Sequence, residues 1–161
     1  MNVPLAATVI ARTQESPTIF TLRIRIDDDA AQAAFRFAPG QFNMLYLFGV
    51  GEVPISIMSD PDDRDGLGHT IRALGRVTRG LAELKPGDAL GLRGPFGRGW
   101  PLTELAGRDV VVVTGGLGCA PVVSVIHYLL RRRERFGRLV VIQGVRHAED
   151  LIWREEYARW A

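Results

Sequence analysis

Gly115-Gly116-Leu117-Gly118-Cys119-Ala120-Pro121 is the segment of this chain best suited to chemistry. It follows Asp109-Val110-Val111-Val112-Val113-Thr114, an apolar β-branched run, and precedes a stretch that reads as helix from about Pro121 to Arg135. In that context of strand, turn and helix, Gly116-x-Gly118-x-x-Pro121 suits the pyrophosphate of a dinucleotide. The glycines let the backbone approach the anion, and free N–H groups at the helix start meet its charge. Pro121 fits the first helical turn, where its missing N–H costs nothing. Without a ligand, the same segment would be an ordinary tight strand-to-helix turn. The acidic residue of the standard NAD fingerprint is absent, because Gln143-Gly144-Val145-Arg146 stands at the end of the next strand. Arg146 could meet a phosphate or cover the sheet end.

Other reactive side chains offer less. Cys119 lies inside the glycine segment, either near a bound ring or simply as a small residue packed at a helix start. His69, His127 and His147 are scattered without metal-ligand spacing and read as surface or packing residues. Asp60, Asp62, Asp63 and Asp65 crowd one loop but lack the terminal Glu of a calcium loop, so a solvated hairpin is expected. Arg131-Arg132-Arg133-Glu134-Arg135 falls at a helix C-terminus, where cations oppose the dipole favourably, or where they could dock an acidic partner. No triad or paired carboxylates are evident, so no catalytic residue is assigned.

The elements that must position these residues come in two styles. Up to about residue 105 the chain reads as short strands broken by Pro and Gly: Leu5 to Arg12, Ile19 to Ile26, Met44 to Phe48, Ile55 to Met58, Thr70 to Leu74 and Ala89 to Leu92. Ile19 to Ile26 alternates with a period of two. Such spacing favours a closed antiparallel β-barrel. A helix over Thr78 to Leu84 interrupts it, with Thr78 as N-cap and Pro86-Gly87 ending it. From residue 106 the pattern is βαβα: the strand before the glycine turn, expected to be buried on both faces, its helix, a second strand over Leu139 to Gln143, and a helix over about Glu149 to Trp160. This opens a doubly wound α/β sheet, which usually has about five strands. The expected domains are therefore a barrel over 1–105 and a partial α/β nucleotide domain over 106–161.

Composition narrows the classes. Lys and Arg total 20 against 18 acids, and no basic stripe interleaved with aromatics suggests nucleic acid. No apolar stretch reaches the roughly 18 residues of a membrane span. Met1 to Gln14 lacks the layout of a signal peptide, and a single cysteine builds neither disulfides nor a cysteine-ligated metal site. The cytoplasm is the default compartment.

Val53-Pro54-Ile55-Ser56, Gly75-Arg76-Val77-Thr78, Leu92-Arg93-Gly94-Pro95-Phe96-Gly97 and the glycine segment, in that order, resemble the ferredoxin–NADP reductase superfamily. The likeness is greatest to the gamma subunits of cytoplasmic nickel–iron hydrogenases (sulfhydrogenases) and the dihydroorotate dehydrogenase electron-transfer subunit. It covers the whole chain. The resemblance implies a barrel that holds FAD, an α/β domain that holds NAD or NADP, and hydride transfer between nicotinamide C4 and flavin N5. Val53, Pro54, Ile55 and Ser56 occupy the family's Arg-x-Tyr-Ser place, whose backbone and hydroxyl contact isoalloxazine and ribityl chain. Thr70, Ile71 and Arg72 match the strand beneath the flavin phosphates, with Arg72 pairing one of them. Gly75, Val77 and Thr78 match the turn that sets a helix N-terminus under the pyrophosphate. Gly115, Gly116, Leu117, Gly118, Ala120 and Pro121, with Gly144 and Arg146, fall to the nicotinamide nucleotide.

Two departures stand out. Val53 and Ile55 replace an anchoring charge and a stacking ring, and Arg72 or Arg76 could supply the lost charge. The related subunits also carry iron–sulfur cysteines and a Cys-Gly-Pro segment near their C-termini. With neither present, this sequence is expected to be part of a longer subunit. Any iron–sulfur cluster would lie in that further sequence or in a partner, namely the iron–sulfur and catalytic subunits of a hydrogenase-like complex. Two other readings compete: an FAD-holding relay without nicotinamide activity, and an assembly module with an empty barrel.

Overall fold

The computed structural model describes residues 3–160; Met1, Asn2 and Ala161, the ends of the leader reading and of the α/β segment, lie outside the described residues. Six strands form an antiparallel sheet: β1 (Leu5–Ser16), β2 (Ile19–Ile26), β3 (Phe42–Leu47), β4 (Gly51–Ser56), β5 (Leu67–Arg72) and β6 (Ala89–Phe96). Their order is β4-β3-β6-β1-β2-β5. The segment after β4 brings the two edges together, since the Met58 amide donates to the Gly68 carbonyl at 2.9 Å and the Gly68 amide to Ser59 Oγ at 2.6 Å. Closure of this kind removes exposed strand edges.

Alternation sets the inside of the barrel. Leu22, Ile24 and Ile26 are fully buried and Thr21, Arg23 and Arg25 are not, as the period of two along β2 requires. They meet Ala7, Val9, Leu45, Leu90 and Leu92 in one core, and Leu81 from the helix α2 (Arg76–Ala82) plugs it. β1 is longer than its apolar pattern suggests. Bulges between Val9 and Ala11 and between Gln14 and Ser16 bend it, and such bends help a strand serve two neighbours.

Several boundaries differ from those read in the sequence. β4 begins at Gly51, in a hairpin where Val50 N–H donates to Leu47 O at 3.0 Å. Pro54 therefore lies inside a strand, which a sheet-edge position tolerates because no ladder donor is needed there. A short helix α1 (Asp29–Ala34) was not expected; the Asp28 carboxylate caps it by accepting from the Ala31 amide at 2.7 Å. α2 starts earlier than expected, with Gly75 as N-cap. Thr78 is thus not the N-cap but sits one turn inside, where its hydroxyl accepts from the amides of Gly75 at 2.9 Å and Leu74 at 3.0 Å. Thr78→Ala leaves both amides unsatisfied and is expected to cost about 0.5–2 kcal/mol, as for other lost caps. Urea unfolding with an unshifted midpoint would contradict that.

Two parallel strands follow, β7 (Val110–Gly115) and β8 (Leu139–Gly144), joined by the helix α3 (Ala120–Arg131). Helix α4 (Arg154–Trp160) comes after β8 and begins later than expected, because Trp153 takes a positive φ of 57°. α3 is shorter than expected as well, since Arg132 leaves helical geometry at φ −120° and ψ 37°. β7 is not buried on both faces. Val110 and Val112 pack beneath α3, but Val111 and Val113 are 60% and 70% exposed, because α3 covers only one side of the pair. Among the described residues, no helix is long and apolar enough to cross a membrane.

Candidate functional site

The first group of predicted residues lines the seam between β4 and β5. Ser56 ends β4 opposite Phe42, and its carbonyl lies 3.0 Å from Nδ1 of His69, a fully buried side chain on β5. Nε2 of the same ring is 3.4 Å from Asn43 Nδ2. An amide nitrogen can only donate, so Nε2 accepts and Nδ1 carries the proton that goes to Ser56 O. Burial pushes the His69 pKa down to about 4 and keeps the ring neutral. His69 is therefore a packing residue rather than a surface one, and it acts as an internal strut beneath Pro54-Ile55-Ser56.

That strut has a pH signature. Folded His69 protonates near 4, whereas an unfolded histidine does so near 6.5. Between those values the unfolded chain holds more protons, so stability falls as pH falls through the window and levels off below it. Denaturant unfolding from pH 7 to 4 is expected to show this slope in the wild type and a flatter one in His69→Gln. Equal slopes would contradict the assignment.

The other members of this group divide by what occupies their polar atoms. Val53 and Ile55 pack on the barrel core, Pro54 is exposed, and Ile71 is buried, so these residues can offer only backbone and surface. The Thr70 hydroxyl is 2.8 Å from that of Thr21, which donates to Glu15 at 2.6 Å, so Thr70 is engaged within the chain. Arg76 donates to Val50 O at 2.9 Å and ties α2 to the β3–β4 hairpin. Arg93 is held by Glu52 in a two-pronged pair at 2.6 and 3.1 Å. Arg72 differs: its Nε is buried and has no hydrogen-bond partner. A buried guanidinium nitrogen left unpaired is costly unless an anion meets it. Thr78 has already taken the Leu74 and Gly75 amides, which leaves those of Arg76, Val77 and Thr78 itself at the helix start.

The second group surrounds the turn after β7. A single 3₁₀ turn over Gly116–Cys119 leads into α3, with no side chain capping either start. Gly116 has a φ of 51°, a conformation that suits glycine. Apart from chain neighbours and the local helical backbone, a Cβ placed on Gly115, Gly116 or Gly118 would meet no atom of the described residues within 4 Å. These glycines thus border a cradle left open by the chain. Beside it, Thr114 Oγ1 and Gln143 Oε1 are buried without partners at the carboxyl ends of β7 and β8, while Gln143 Nε2 donates to Gly116 O at 3.2 Å. Gly144 pairs with Gly115 across the two strands, and Arg146 is exposed beyond them. Cys119 is fully buried against Ile19 and Ile152, and burial pushes its thiol up to about 11, so it stays protonated.

The fold brings the two groups together in two ways. Ile19, which packs on Cys119, is the β2 partner of Arg72. In addition, α3 docks on the segment that follows Ser56. Ser124 Oγ donates to Ser59 O at 2.6 Å and His127 Nδ1 to Met58 O at 3.2 Å. Arg131 reaches Asp60 at 2.8 Å and Asp63 at 3.2 Å, and Arg132 reaches Asp60 at 2.9 Å and also Asp62. The aspartate loop is therefore no solvated hairpin, nor do Arg131 and Arg132 stand free at a helix end. Each is the other's partner, across about 70 residues of sequence. A cleft of about 920 Å³ lies between β1, β2, α3 and residues 151–160 and borders this contact at Met58, Ser59, Asp63 and His127, but none of the predicted cofactor-binding residues lines it.

Residues 112–161 match the oxidoreductase NAD-binding domain family. The chain is 41% identical over 132 residues to sulfhydrogenase 1 subunit gamma of Pyrococcus furiosus, covering 82% of this chain and 45% of that one. It is 33% identical over 155 residues to the probable dihydroorotate dehydrogenase B (NAD(+)), electron transfer subunit, of Methanocella arvoryzae, covering 96% and 53%. Its fold matches a ferredoxin NADP+ reductase of Neisseria gonorrhoeae solved with bound FAD and NADP, at a TM-score of 0.77 and 24% identity, covering 96% and 62%. The chain spans about half the length of the curated relatives it matches.

Proposed function

We propose that the chain belongs to the ferredoxin–NADP reductase superfamily, whose fold it shares, and that it is the FAD-holding electron-transfer part of a multi-subunit oxidoreductase. It passes reducing equivalents between NAD(P)H and an iron–sulfur partner, in an assembly resembling a hydrogenase. Residues 1–105 serve as the flavin barrel and 106–161 as part of the nucleotide domain.

One observation carries the reading. Two features that fit anionic cofactors, the unpartnered Arg72 Nε and the open glycine cradle, lie on elements joined through Ile19 and Cys119. Arg72, with the amides that open α2, would hold the FAD phosphates, and the backbone from Val53 to Ser56 would support the flavin ring. Gly115, Gly116 and Gly118 would admit the nucleotide pyrophosphate to the start of α3. Delivery of a hydride, two electrons with one proton, from a dihydronicotinamide to the flavin, followed by single-electron release to the partner, is the chemistry these cofactors supply when bound. The protein's share is orientation. His69 fixes the Ser56 backbone, and Cys119, protonated and buried, shapes the contact between barrel and turn.

The direct test is an FAD titration of the purified protein followed by quenching of flavin fluorescence. One FAD per chain is expected. Failure to bind FAD would remove this reading and leave an assembly module.

A further inference from the structure

α3 has a charged and hydrogen-bonded connection at the end opposite its glycine turn. The Asp60 side chain is only 4% exposed and is held by two arginines, at 2.8 Å from Arg131 and 2.9 Å from Arg132. Burial alone would raise the Asp60 pKa, but Arg132, the Asp62 amide and Arg131 outweigh it and hold the carboxylate below its usual range. Arg132 is also fixed on its other side, with its guanidinium 4.0 Å above the Tyr128 ring. One helical turn and more toward the N-terminus, the buried Ser124 and the half-buried His127 bond to Ser59 O and Met58 O. The carbonyls they grip lie two and three residues after Ser56, and Met58 and Ser59 are in turn bonded to Gly68 of β5.

We infer that the joint formed by Asp60, Arg131, Arg132 and Ser124 is a positioning device, which sets the separation between the glycine turn and the flavin strand. This rests on the functional reading above. α3 has 12 residues and so a length of about 18 Å at 1.5 Å per residue. A rigid helix of that length carries a displacement at its C-terminal end to the turn at its start. Transfer between two bound rings requires reacting atoms about 3–3.5 Å apart, and a misplacement of about 1 Å costs on the order of 100-fold in rate. Charge-assisted contacts to a buried acid suit such a joint, because removing one partner leaves the other charge unpaired. Asp60, Arg131, Arg132 and Ser124 are positioning residues that act through the backbone, and none need touch a cofactor.

The test compares wild type, Asp60→Asn, Ser124→Ala and, as a remote control, Asp29→Asn, all loaded with FAD. The first readout is amide hydrogen exchange without nucleotide. Asp60→Asn is expected to raise exchange at least about 10-fold in residues 58–63 and 124–132, and to leave the β2 core unchanged. The second is stopped-flow flavin reduction over a range of NADH and NADPH concentrations. The limiting rate is expected to fall about 10- to 100-fold in Asp60→Asn and about 3-fold in Ser124→Ala, with nucleotide Kd within about 3-fold of wild type. A limiting rate within about 2-fold of wild type, or a loss confined to Kd, overturns the inference. If Asp60→Asn does not fold, Ser124→Ala decides by the same split. If wild-type flavin is reduced by neither nucleotide, the functional reading has failed instead, and exchange alone judges the joint: unchanged exchange in Asp60→Asn refutes it.

Discussion

Gly118→Val is expected to fold normally, bind FAD as wild type does, and lose at least about 100-fold in affinity for NADH and NADPH. The argument turns on where the new side chain goes. Apart from its chain neighbours and the backbone of its own helical turn, no described atom lies within 4 Å of a Cβ built on Gly118, and its φ is not in the left-handed region. The substitution therefore neither clashes with the fold nor strains the backbone. What it does fill is the open space beside the turn that leads into α3, where a pyrophosphate must come closest. A 100-fold loss corresponds to about 2.7 kcal/mol. Gly116 is a poorer probe of the same idea, because its φ of 51° would strain any replacement and mix folding with binding. Equilibrium titration of nucleotide, with thermal unfolding as the control, separates the effects. Unchanged nucleotide affinity in a folded Gly118→Val protein would mean that the cradle holds nothing.

Arg72→Leu is expected to move stability and FAD binding in opposite directions. Without ligand, the wild-type side chain keeps a buried Nε that has no partner, and replacing it by an apolar group of similar reach removes that cost. The free protein should be as stable as wild type or slightly more so. With FAD, a charge-assisted contact to phosphate is lost, a change of about 1.5–3 kcal/mol, or roughly 10- to 100-fold in Kd. Thermal unfolding with and without FAD reads both, since a ligand that binds only the folded state raises the midpoint according to its concentration relative to Kd. A variant destabilised without FAD and unimpaired with it would show that Arg72 is structural.

Much of this architecture was legible because its signals are local. The alternation along Ile19–Ile26 gave β2 to the residue, since each inward Leu or Ile is paired with an outward Thr or Arg. The glycine turn announced itself through its neighbours, a β-branched strand before it and an amphipathic helix after it. What the sequence hid was non-local. No local rule pairs Asp60 with Arg131 and Arg132, because their meeting depends on how α3 packs against the barrel. His69 was passed over for the same reason, since its role rests on Ser56 and Asn43 from two other strands. Pro54 displaced β4 in the reading because proline argues against a strand until the sheet order puts that strand at an edge. α1 could have been found from Asp28, an N-cap residue before an alanine-rich run. The half-covered β7 was misread because a continuous Val run looks the same whether one face or two is covered.

An anaerobic titration of the FAD-loaded protein with NADH and with NADPH, followed by flavin absorbance, tests the central claim most directly. Bleaching at about one equivalent of one or both nucleotides is the predicted result, and the difference between them reports the preference. A bound flavin whose spectrum ignores both nucleotides would contradict the account and leave the chain as a relay.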